Sequence, residues 1–82
     1  MQRIVDASWL TPGMVIYHQP RNHFYIILNK TMIKKDDGGW EYGWTYVQAE
    51  KNEEGEGYVY ATGAESYSRP FSLFDSDWHL AY

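Results

Sequence analysis

The chain has 82 residues, no cysteine, 18% aromatic residues and a net charge of −4. That length supports one core, so residues 1–82 are expected to form a single small domain burying about two-thirds of its unfolded surface. The missing cysteines exclude disulfides and thiolate metal sites, and the acidic balance argues against a general nucleic-acid binder. No run approaches the roughly 20 apolar residues that span a bilayer, and Met1–Asp6 lacks the apolar stretch of a signal peptide. A cytoplasmic location without membrane contact is therefore expected. The charge is uneven: residues 1–40 carry five bases and three acids (+2), and residues 41–82 carry two bases and eight acids (−6).

Trp9–Gly13 reads as a turn, because Pro12 presets φ and Gly13 allows positive φ. Met14–Gln19 alternates and predicts a first strand, and Pro20-Arg21-Asn22 predicts a second turn. His23–Lys30 reads as the main core strand, with Phe24, Ile26 and Leu28 on one face and Tyr25 and Ile27 on the other. Thr31–Lys35 can continue that ladder after a kink, and Lys34–Gly39, ending in two glycines, fits a hairpin loop.

Gly39–Gln48 is the most distinctive stretch. Its even positions from 40 to 46 are Trp40, Tyr42, Trp44 and Tyr46, which alternation places on one strand face. Gly43 within the run suggests a bend, a bulge or a close approach by another backbone or a ligand. Ala49–Glu56, with four glutamates, predicts a solvated loop. Gly57–Thr62 reads as a short strand with Tyr58 and Tyr60 on one face. Tyr67–Phe74 contains Pro70, which permits only an edge position or a strand start. Asp75–Asp77 can cap a helical turn carrying Trp78 and Leu80.

Short strands with turns at close intervals predict an all-β fold, a small antiparallel barrel or sandwich. The run Leu10-Thr11-Pro12-Gly13-Met14-Val15 resembles the L-x-P-G-x-V entry into the first strand of SH3-like barrels. That resemblance implies an SH3-like barrel of about five strands with a short C-terminal turn. Small size, acidity and aromatic density also resemble accessory proteins encoded by bacteriophages.

Two faces compete for the interior. An aliphatic core of Val15, Phe24, Ile26, Leu28, Val47 and Val59 would leave Trp40, Tyr42, Trp44, Tyr46, Tyr58 and Tyr60 outside as a binding surface. The opposite choice makes the rings the core. His18, His23 and His79 show no metal-ligand spacing, so no metal site is expected. Ser66, Ser68, Ser72 and Ser76 lack a nucleophile-elbow pattern, and Glu50, Glu53, Glu54 and Glu56 read as a solvated charge run. Arg21 and Arg69 each adjoin a proline and lie near aromatics, where a guanidinium can stack on rings or grip an anion; an ordinary surface ion pair is the plainer role.

The expected function is a non-enzymatic, cofactor-free binding module, forming a homodimer. Trp40, Tyr42, Trp44, Tyr46 and Tyr60, with Arg21 and Arg69, would hold a small anionic ligand such as a nucleotide; for a phage protein, that means sequestering a host signalling nucleotide. The alternative is an interaction or inhibitor module whose aromatic face docks a host protein or peptide.

Overall fold

The computed structural model describes residues 2–81; Met1 and Tyr82 lie outside them. Six strands carry the chain: β1 (Val15–His18), β2 (His23–Lys34), β3 (Trp40–Lys51), β4 (Tyr58–Tyr60), β5 (Ser66–Pro70) and β6 (Trp78–Leu80). Two 3-10 turns, Ala7–Trp9 and Phe71–Leu73, are the only helical pieces among the described residues. Every strand pair is antiparallel, in the order β4-β3-β2-β1-β6, with β5 also on β3. The fold is thus the expected small antiparallel all-β class: a meander from β1 to β4, a fifth strand returning to β3, a 3-10 turn, and a last strand returning to β1.

The turns form where the sequence sets them. Gly13 has φ of 92°, and Met14 N donates to Thr11 O at 3.2 Å, closing the Pro-Gly turn into β1. Asn22, at φ 54°, closes the β1–β2 turn, a conformation asparagine tolerates better than most side chains.

A bulge in β2 decides the register. Ile27 pairs with Tyr46 and Asn29 with Thr45, so Leu28 is the extra residue. Before it, Tyr25 and Ile27 face inward; after it, Lys30, Met32 and Lys34 lie on that same side.

The core is the ring-bearing face. It joins Ile4, Ala7, Leu10, Ile16, Tyr25, Ile27, Trp44, Tyr46, Phe74 and Trp78. The aliphatic interior is overturned. Phe24, Ile26 and Leu28 are only half-buried and Val59 is exposed; Val15 and Val47 are buried, but with Ile26 they lie on the sheet face opposite the ring-bearing core.

Three further expectations change. β3 runs on to Lys51 with Ala49 buried, so the glutamate loop begins only after it. Trp78 and Leu80 belong to strand β6 rather than a helical turn, because Trp78 pairs with His18 and Leu80 with Ile16. The side chain of Asp75 instead accepts from Asp77 N at 2.9 Å, shaping the turn into β6. Tyr60 pairs with Ala49, on the sheet face opposite Tyr46, so Tyr58 and Tyr60 do not extend the face of the β3 rings.

Candidate functional site

The four rings of β3 divide between interior and solvent. Trp44 is 4% and Tyr46 3% exposed, whereas Trp40 is 60% and Tyr42 50% exposed. Strand twist and length cause the split: the β2–β3 hairpin runs past the rest of the sheet, and the molecule measures 46 × 26 × 22 Å. Trp44 Nε1 donates to Ala7 O at 2.7 Å, which fastens the first 3-10 turn to the core. Neither Trp44 nor Tyr46 therefore offers a ring face to a ligand, a correction to the sequence reading.

Gly43 shows why β3 and β5 approach so closely. A Cβ built there would sit 2.3 Å from Arg69 O and 2.6 Å from Ile33 Cδ1. No other residue fits without moving β5. Trp44 pairs with Arg69 and Tyr46 with Tyr67, which turns the Arg69 and Tyr67 side chains to the core side of the sheet.

Arg69 then crosses from β5 toward β6. Its guanidinium carbon lies 5.1 Å from the Trp78 ring centroid and 6.0 Å from that of Phe74. Nε donates to the Tyr46 hydroxyl at 3.2 Å, and a terminal nitrogen donates to Leu73 O at 3.1 Å. A guanidinium has five N–H donors, so three remain for a further partner.

Arg21, far away in sequence, reaches the same end of the molecule. The neighbouring Tyr25 hydroxyl is the main reason its pKa is raised, with Tyr46 and Tyr67 adding smaller effects. His18 lies within electrostatic reach of both arginines. Burial first, then repulsion from Arg21 and Arg69, pushes its pKa below the ordinary value; Asp77 and Asp75 pull it back in part.

Rings complete this end. His18 lies 4.5 Å from Trp78, and Tyr25 5.6 Å from Trp78 and 5.1 Å from Tyr46. Tyr67 lies 5.9 Å from Tyr46 and is 48% exposed, which leaves part of its ring open to solvent. The buried atoms His18 Nδ1 and Trp78 Nε1 have no hydrogen-bond partner. Chemically, the cluster offers free guanidinium donors, tyrosine hydroxyls and one open ring.

The structure thus brings together Arg21, Arg69 and Tyr46 of the sequence-predicted set. It places Trp40 and Tyr42 on the hairpin and Tyr60 on the other sheet face. Sequence reasoning missed His18, Tyr25, Tyr67 and Trp78 as members of this cluster. The available signal was the proximity of Tyr67 to Arg69 and of His18 to Arg21, two and three positions apart.

Elsewhere, a groove of about 130 Å³ is lined by Ile4, Val5, Trp9, Leu10, Met14 and Leu80, with Arg3 and Asp6 beside them. It contains none of the sequence-predicted residues. Among the described residues, no three acidic or imidazole side chains gather to hold a metal ion. No described helix is long and apolar enough to cross a membrane. Comparison with protein-family models, with curated proteins and with solved structures found no match to this chain.

Proposed function

We propose that the chain is a non-enzymatic binding module that holds a small anionic ligand, a nucleotide, at the end bearing Arg21 and Arg69. One observation carries this reading. Both guanidiniums act on His18, as Asp77 and Asp75 do with opposite sign, and among the described residues the one salt bridge is Lys35–Asp37, so neither arginine is ion-paired with a described carboxylate. In a chain with eleven acids against seven Lys and Arg, an ordinary surface arginine would find a carboxylate easily.

The roles divide between the two cations. Arg69 is held by Tyr46 and Leu73 and backed by Trp78, so its remaining donors are preorganised. Arg21 is on an exposed turn and can close on a phosphate from the opposite side. Tyr67 supplies the open ring on which a base stacks. In a bacteriophage setting the corresponding role is sequestration of a host signalling nucleotide.

The test is calorimetric titration of the purified protein with a panel of mono-, di- and cyclic nucleotides and pyrophosphate. Wild type binds at least one of them, and Arg21→Gln weakens that binding by roughly tenfold to a hundredfold, the loss of one charge-assisted contact. Absence of binding across the panel removes this reading.

A further inference from the structure

The exposed face of the β2–β3 hairpin lies away from the arginine cluster and calls for its own occupant. β1 pairs with β2 only over His23–Ile26, and β5 pairs with β3 only as far as Gly43. Beyond those points, Lys30–Lys34 and Trp40–Tyr42 form a two-stranded ribbon. Such ribbons are marginal in water without further support. Its apolar side is largely open, with Met32 51%, Trp40 60% and Tyr42 50% exposed, although Phe71 stacks on the Tyr42 ring at 6.4 Å. The register adds Lys30 and Lys34 to the same face, opposite Trp44 and Trp40, and Lys30 Nζ lies 4.9 Å from the Tyr42 ring centroid.

The opposite end of β3 has the complementary charge. After Lys51 the chain turns through Asn52–Gly57, and Glu50, Glu53, Glu54 and Glu56 are all exposed there. With Lys51, residues 50–56 carry four acids and one base, a net −3. Trp40 and Lys51 stand roughly 36 Å apart along an extended strand, so the two lysines of the hairpin face and the glutamate loop lie at opposite ends, although residues 30–41 as a whole carry three bases and three acids.

We infer that this hairpin face docks a second copy of the chain, aligned antiparallel so that each copy's Lys30, Lys34, Trp40 and Tyr42 meet the other's glutamate loop. Two equivalent contacts then form about one two-fold axis. The assembly closes as a dimer, whereas a single end-to-end contact would propagate into a filament. Stacking the two hairpin faces directly would instead set lysines against lysines. Asp36 and Asp37 lie in the hairpin turn, where Lys35 pairs with Asp37 at 3.9 Å.

Sedimentation velocity over a range of protein concentrations, at about 50 mM and about 500 mM salt, tests this. Wild type is a dimer at low salt and weakens at high salt. Lys34→Glu and Glu53→Lys each shift the population to monomer, and the double exchange restores the dimer. Trp40→Ala, a neutral change on the same face, also favours monomer and keeps the test readable if a charge reversal disturbs folding. A wild-type monomer at every concentration overturns the inference and leaves the face to a different partner. A dimer indifferent to all three substitutions, or assemblies growing past the dimer, overturns it too.

Discussion

The Arg69 guanidinium lies 5.1 Å from the ring centroid of Trp78 and ties β5 to β6, two strands that are not neighbours in the hydrogen-bonded ladder. Trp78 is fully buried, so the cation packs on the inner wall of the fold while Arg69 itself stays partly exposed. Arg69→Ala removes this contact and two hydrogen bonds. A loss of about 1–3 kcal/mol in stability is expected in thermal or denaturant unfolding. Arg69→Lys recovers only part of it, since an ammonium cannot reach Tyr46 and Leu73 with a planar fork.

Arg21 behaves differently. It is on an exposed turn beside Tyr25 and ties no two strands together. Arg21→Gln is expected to unfold within about 0.5 kcal/mol of wild type, the range of ordinary surface substitutions, while losing anion affinity. A melt that drops as far as that of Arg69→Ala would assign Arg21 a structural role.

The aromatic strand gives a paired test. Trp44→Ala empties a core site and breaks the bond to Ala7 O, so it should cost about 3–5 kcal/mol and leave so small a domain largely unfolded. Trp40→Ala, four positions away on the same face, should leave unfolding close to wild type. Circular dichroism melts of the two variants check this contrast directly.

Much of the fold was legible in the sequence because its turns are chemically marked. Pro12-Gly13, Pro20-Arg21-Asn22 and Gly38-Gly39 each sit where the chain reverses. The choice of core face was not legible. Alternation in His23–Lys30 could not reveal that Leu28 is the residue a bulge adds, and the bulge exchanges the faces of everything after it. Part of the site was legible in Arg21 and Arg69, which the sequence singles out by their neighbours. Their convergence was not, because 48 positions separate them and only the pairing of Trp44 with Arg69 aims the second guanidinium inward. Tyr60 was assigned to the site from its spacing, and its pairing with Ala49 sends it to the other face.

Acid should weaken the fold through His18. Its pKa in the folded chain lies below the ordinary 6.5, so the unfolded chain binds the proton more tightly. This contribution to stability is complete above that ordinary value and is lost as pH falls below it toward the folded-state pKa. His18→Gln should therefore flatten the stability profile just below pH 6.5 in urea unfolding. An unchanged slope would mean that His18 is not the titrating group.

The central claim is that Arg21 and Arg69 share one anion, and nuclear magnetic resonance reads it residue by residue. The side-chain Nε–H signals of all three arginines and the His18 ring protons are followed while pyrophosphate, then the tightest nucleotide, is added at constant ionic strength. Saturable shifts are expected at Arg21, Arg69 and His18 with one common affinity, and none at Arg3. His18 should also titrate at higher pH in the complex, because a bound anion offsets the repulsion from both guanidiniums. Shifts confined to Arg3 or to the Lys30–Trp40 hairpin, or no saturable shift at either Arg21 or Arg69, would contradict the claim.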